Sequence, residues 1–107
     1  MNTKFLKIVV YTPETHADKI RKAIAEAGAG HVGNYDYCSF SVKGTGRFRG
    51  GKGTNPYIGE SGKIEEVEEE RIETILEPEK LDQVLEAIKK VHPYEEPAID
   101  IYPLLNN

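Results

Sequence analysis

Two stretches of the chain gather the residue types from which binding and active sites are made. The first is His92-Pro93-Tyr94-Glu95-Glu96-Pro97, where an imidazole, a phenol and two carboxylates fall between two prolines. Such a set can hold a metal ion or exchange protons, and the prolines would keep it stiff. Its spacing matches no zinc pattern, and a rigid helix-to-strand turn would by itself account for the prolines. The second is Gly44-Thr45-Gly46-Arg47-Phe48-Arg49-Gly50-Gly51-Lys52-Gly53. Glycines let a backbone approach an anion closely, and Arg47, Arg49 and Lys52 can neutralise it. This stretch joins two strands and not a strand to a helix, so neither phosphate-loop fingerprint applies. A long, solvated hairpin connection is the plainer reading.

Other candidates carry less. Cys38 beside a histidine would make a thiol nucleophile with its base. It alternates with Phe40 and Val42, however, and reads as a small buried apolar residue. His16 falls on the helix face away from the apolar stripe and reads as solvated. His31 and Asn34 lie among glycines that suit a tight helix-to-strand connection. The glutamates between Glu65 and Glu73 read as an exposed strand edge whose charge deters pairing. No set of residues forms a convincing triad or paired-carboxylate site, so the reading leans away from an enzyme.

The elements that must position these residues follow from local pattern. Lys4 to Tyr11 is β-branched and aromatic, hence a strand. Thr12-Pro13-Glu14 offers a helix cap, a proline at the first helical position and an acidic first turn. Ala17, Ile20, Ala23, Ile24 and Ala27 continue at helical spacing, and Gly28 stops the helix. Asp36 to Gly44 alternates as a second strand, and glycine punctuates the chain from Gly44 to Gly62. Lys63 to Leu76 would suit either a helix face or a strand. A strand is chosen because the preceding strand needs a hairpin partner. Pro78 opens a second helix with the stripe Leu81, Val84, Leu85, Ile88 and Val91, which His92-Pro93 ends. Pro97 to Leu104 is the last strand.

The order is βαββαβ: an α+β, ferredoxin-like fold in which two helices cover one face of a four-stranded antiparallel sheet. In that topology the hairpin tip between the middle strands and the turn from His92 to Glu96 lie at one end of the sheet. The cationic stretch and the His-Tyr-Glu-Glu turn should therefore be neighbours. The first strand is apolar on both sides, with Leu6, Ile8 and Val10 on one and Phe5, Val9 and Tyr11 on the other, broken only by Lys7. A strand buried on both sides implies that a partner chain covers the face without helices.

Composition sets the outer bounds. The 107 residues fit one domain, residues 1–107, without room for a second core. A net charge of −4 lacks the basic surplus of a general nucleic-acid binder. No apolar run approaches the roughly 20 residues that span a bilayer. The start, Met1-Asn2-Thr3-Lys4, leads into a strand without a secretory apolar region, and the single cysteine fits a reducing compartment. The expected location is cytoplasmic.

Five blocks of sequence in order carry a resemblance to a known family. They are Gly28 to Phe40, Gly44 to Phe48, Asn55 to Gly59, Glu66 to Glu73 and His92 to Asp100. With these the chain resembles the small insert domain of the Nif-three-like dinuclear-metal proteins, itself similar to the trimeric PII and CutA proteins. In that family two larger lobes flank the insert and carry the histidines and carboxylates that hold the metal pair. This chain begins and ends at the insert's edges, so that metal chemistry is not expected to carry over. What the resemblance implies is a PII/CutA-like fold and a homotrimer, with ligand clefts between subunits.

The expectation is therefore a non-enzymatic, homotrimeric binding or regulatory module. It takes a small anionic ligand or a protein partner at Arg47, Arg49, Lys52, His92, Tyr94, Glu95 and Glu96. The alternative is a metal- or nucleotide-binding protein using inter-subunit clefts, with a divalent metal as the candidate cofactor. A stand-alone hydrolase-type enzyme ranks last.

Overall fold

A computed structural model describes residues 3–106; Met1 and Asn2, read above as leading into the first strand, and Asn107 lie outside the described residues. The chain runs β1 (Leu6–Pro13), α1 (Ala17–Glu26), β2 (Phe40–Arg49), β3 (Ile64–Leu76), α2 (Leu81–Val91) and β4 (Ile99–Pro103). A single 3-10 turn leads into each helix, Glu14–His16 before α1 and Pro78–Lys80 before α2. The sheet order is β2-β3-β1-β4 with every pair antiparallel. This is the expected ferredoxin-like arrangement.

Strand alternation sorts side chains onto two faces. Ile8 and Val10 of β1, with Ile72 and Leu76 of β3, point to the side covered by the helices. There they meet Ile20 and Ile24 of α1 and Val84 and Ile88 of α2 in one buried cluster. These are the apolar stripes read from the sequence. Helix ends also follow local chemistry. At the end of α1, Gly28 takes φ +108°. Its N–H donates to Ala25 and that of Ala29 to Ile24, the paired bonds by which a glycine closes a helix. At the end of α2, His92 turns extended, with φ −73° and ψ 132°, ahead of Pro93.

Four local expectations need correction. Thr12 does not cap α1. The strand continues through Thr12 and Pro13, which pair with Glu70 and Glu69, and the Thr12 hydroxyl donates to the carbonyl of Pro13 at 3.2 Å. The backbone at Pro13 is extended, so the first helix starts only after the 3-10 turn.

The second strand is shifted along the chain, from the expected 36–44 to Phe40–Arg49. Before it, the backbone of Cys38 is committed elsewhere. Its N–H donates to Gly30 at 3.0 Å, and its carbonyl accepts from the Thr74 hydroxyl at 2.5 Å. Gly30 is required there because its φ is +83° and a Cβ would lie 2.6 Å from the Cys38 carbonyl oxygen. Beyond Gly44, β3 reaches back to Ile64 and supplies partners as far as the pair Arg49↔Ile64. The glycine-rich stretch is thus strand from Gly44 to Arg49, and the true connection is positions 50–63. That connection is tied by its own bonds, among them Gly62 N–H to Gly50 at 2.7 Å and Thr54 Oγ1 to Gly51 at 2.7 Å.

The glutamate run is not a sheet edge, because β3 lies between β2 and β1. Its carboxylates find partners on both faces. Glu70 accepts from Arg21 of α1 at 2.7 Å, and Glu73 bridges Lys7 at 3.5 Å and Arg71 at 3.0 Å. Cys38 is half-buried, and Phe40 and Val42 are 65% and 41% exposed. The alternation of Phe40 and Val42 was read correctly, but their face is the one without helices. No helix among the described residues is long and apolar enough to cross a membrane.

Candidate functional site

The two chemistry-bearing stretches do meet. The carboxylate of Glu95 accepts the backbone N–H of Asn55, in the β2–β3 connection, at 3.2 Å. Between them opens a cleft of about 480 Å³, within the usual range of small-ligand pockets. Its walls come from five places in the chain. Tyr11 lies near the end of β1 and Phe48 near the end of β2; Glu69 lies on β3, and Tyr94, Glu95 and Glu96 come from the turn after α2. Pro56 and Tyr57 of the β2–β3 connection close one side.

The rings form a connected set. Phe48 lies 6.0 Å and Tyr57 6.5 Å from Tyr94, centroid to centroid. Tyr57 in turn meets the ring of His16 edge-on at 5.7 Å. The Tyr94 hydroxyl donates to Glu69 at 2.8 Å. Burial, that hydrogen bond, the charge of Glu69 and the nearby Tyr57 together push the phenol well above its ordinary range, so it stays protonated. Glu69 lies over β2 at Gly46, where any Cβ would collide with its carboxylate. A glycine in the strand makes the room that the carboxylate needs.

His92 has a different position from the rest. It is buried, and its Nε2–H donates to the carbonyl of Tyr11 at 2.8 Å while Nδ1 accepts the N–H of Tyr94 at 3.1 Å. Both ring nitrogens are therefore used within the chain, and they tie the turn to the end of β1. Burial holds its pKa below the ordinary histidine value, although the Tyr11 carbonyl and Glu69 favour the charged form. His92 orients the turn that carries Tyr94.

The cations expected at the site are only partly gathered. Arg47 contributes to the cleft wall and pairs across the hairpin with Glu66 at 3.7 Å. Arg49 and Lys52 are exposed and are not among the residues lining the cleft. Strand alternation sets Phe48 on one face of β2 and Arg47 and Arg49 on the other; Arg47 still borders the cleft, whereas Arg49 does not. Sequence reading missed Tyr11, Phe48, Tyr57 and Glu69. The signal was available in the alternation of β1 and β3, which sets Tyr11 and Glu69 on the face without helices, but it required the register.

On that face Val9 is only 3% exposed without any helix above it. Its cross-strand neighbours are Glu73 and Asp100, and the ion pairs of Glu73 with Lys7 and Arg71 flank it. The open apolar surface lies instead at the sheet margins, at Phe40 and Val42 of β2 and at Tyr102 of β4, which is 50% exposed.

No family model matches the chain. It is 55% identical over 100 residues to a protein of Halalkalibacterium halodurans described as "GTP cyclohydrolase 1 type 2 homolog", covering 94% of this chain and 27% of that one. A Bacillus subtilis protein of the same description is 45% identical over 98 residues, covering 92% and 26%. The chain thus spans about a quarter of the length of these relatives. Among solved structures, a Bacillus cereus protein related to NIF3 superposes with a TM-score of 0.81 at 47% identity, over 97% of this chain and 26% of that one. The CutA protein of Archaeoglobus fulgidus, described as a periplasmic divalent cation tolerance protein, superposes with a TM-score of 0.70 at 22% identity. It matches over 96% of this chain and 86% of its own, which shows a shared fold. The resemblance drawn from the five sequence blocks is borne out.

Proposed function

We propose that this chain, a relative of one segment of the Nif-three-like proteins with a CutA-like fold, is a homotrimeric binding module and not an enzyme. Copies assemble through the helix-free face of the sheet, and the cleft beside Tyr94 receives a small ligand. The observation that carries the assembly is the exposure of Phe40, Val42 and Tyr102 on a face that the chain's own helices do not cover. Phe40 and Val42 are neighbours on one face of the β2 edge, and an exposed apolar pair of this kind is a common mark of a protein interface. Of the expected binding set, Arg47, Tyr94, Glu95 and Glu96 remain as ligand contacts. Arg49, Lys52 and His92 stand apart from the cleft. We retain the cytoplasm as the proposed location, on the ground of the single cysteine.

Light scattering tests the assembly. The expected mass is about three times the 12.0 kDa chain. A monomer at every concentration would remove the proposal. A divalent cation, as in the CutA description, is the second reading. Among the described residues no three His, Cys, Asp or Glu side chains gather to hold one, so two copies would have to share it. Calorimetric titration with zinc and magnesium separates that reading from the first.

A further inference from the structure

The cleft has a chemical character that the residue types alone did not convey. Its rings and its carboxylates face the same space, and of the expected cations only Arg47 borders it. Tyr11, Phe48, Tyr57 and Tyr94 present aromatic surface, and Glu69 and Glu95 stand among them. Glu69 is held by the Tyr94 hydroxyl and by the room at Gly46, and Glu95 by the N–H of Asn55. Each of these bonds uses one of the roughly four acceptor sites of a carboxylate. Both groups therefore keep acceptor capacity directed by fixed geometry. Arg47 pairs with Glu66 across the hairpin.

We propose that the cleft binds an organic cation: an ammonium or guanidinium group seated against the rings of Tyr57 and Tyr94 and hydrogen-bonded to Glu69 and Glu95. This rests on the cleft being the module's binding site. The physical case has two parts. A cation within about 6 Å of an aromatic centroid is drawn by the negative ring face, and the attraction grows as water is excluded. The rings stand 6.0 to 6.5 Å apart, a separation that lets one cationic head lie near more than one face. The carboxylates supply charge-assisted hydrogen bonds, which are stronger than neutral ones. An anion would meet three carboxylates at this mouth, Glu69, Glu95 and Glu96. A bare divalent metal would gain nothing from the rings, which offer no oxygen ligands inside the cleft beyond the Tyr hydroxyls.

The experiment is calorimetric titration of the intact protein with agmatine, with choline as a cation whose quaternary nitrogen has no N–H to donate, and with inorganic phosphate as the anionic control. Agmatine should bind with a Kd below about 1 mM and more tightly than choline, which meets the rings but donates no N–H to the carboxylates. Tyr57→Leu and Glu69→Gln should each weaken that binding by about tenfold or more. Tyr57→Phe, which keeps the ring, should stay within about threefold of the parent. Circular dichroism and scattering mass confirm that each variant is folded and assembled. Binding of phosphate in place of either cation would overturn the inference while leaving the cleft as the module's site. No binding of any of the three by an intact trimer would overturn it while leaving the assembly untouched. Cation binding indifferent to both Tyr57→Leu and Glu69→Gln would also overturn it, by locating the cation elsewhere.

Discussion

The two faces of the sheet are built from the same strands but are closed in different ways. On the helix side, Ile8, Val10 and Ile72 are fully buried, with Ile20, Ile24, Val84 and Ile88 packed upon them. On the other side the centre is closed by charge, through Glu73 with Lys7 and Arg71, and the margins expose Phe40, Val42 and Tyr102. The first face is what makes the chain fold, because apolar area removed from water is the largest favourable term. The second contributes less to folding and is available for contact. In the proposed assembly, fold and contact fall to different side chains of the same sheet, and substitution should separate them.

The largest effect belongs to the helix side. Ile72→Ala leaves a cavity at the middle of the core and should lower stability by about 2–5 kcal/mol in urea unfolding. A loss under about 1 kcal/mol would mean that the site collapses freely and that the contrast between the faces is overstated. On the open side, Val42→Asp should keep the circular dichroism of the fold but drop the scattering mass towards 12.0 kDa. A charge set into an apolar contact loses its water without gaining a partner, which costs several kcal/mol of association. An unchanged assembly would show that the contact lies elsewhere on the surface.

Titration of His92 should give a smaller signal. Burial lowers its folded pKa below the ordinary value of about 6.5. Between pH 6.5 and the lowered pKa, the unfolded chain takes up a proton that the buried ring refuses. Stability should therefore be greatest above pH 6.5, fall as pH decreases through that window, and level off beneath it. The slope cannot exceed about 1.4 kcal/mol per pH unit for one proton. His92→Gln should be less stable at pH 7.5 and should lack this part of the slope. A parallel profile in parent and variant would show that His92 does not titrate on unfolding in this window. The smallest effect is expected at Arg21, whose guanidinium ties Asp18, Ser41 and Glu70 together at 2.6 to 3.0 Å on the rim of the helix side. It is partly exposed, so Arg21→Gln should cost no more than about 1 kcal/mol in thermal unfolding. A larger loss would make this rim as important as the core.

Much of the fold was legible in the sequence because it depends on near neighbours. The stripes of both helices, the stop at Gly28 and the end at His92-Pro93 are consequences of residues within a few positions of one another. The errors occurred where a distant strand decided the outcome. Pro13 reads as a helix start, yet pairing with Glu69 holds it in β1. Gly44 and Gly46 read as loop, yet β3 continues past them and supplies a ladder. Cys38 reads as buried, yet the strand that follows it turns its apolar side away from the helices.

The site divides in the same way. That the glycine-rich hairpin and the turn from His92 to Glu96 share one end follows from βαββαβ order alone, and the Asn55–Glu95 bond agrees with it. Which side chains face the space between them depends on register. A one-residue change of pairing moves a whole strand's side chains to the opposite face. Arg49 was therefore visible as a charge without being visible as lying off the cleft, and Phe48 and Glu69 were not visible as walls. The sequence by itself determined the elements, their order and the end of the sheet where they meet, since propensity and periodicity are local. Only the tertiary structure decided that rings and carboxylates line the cleft and that His92 has both nitrogens engaged, because those facts belong to cross-strand partners far apart in the chain.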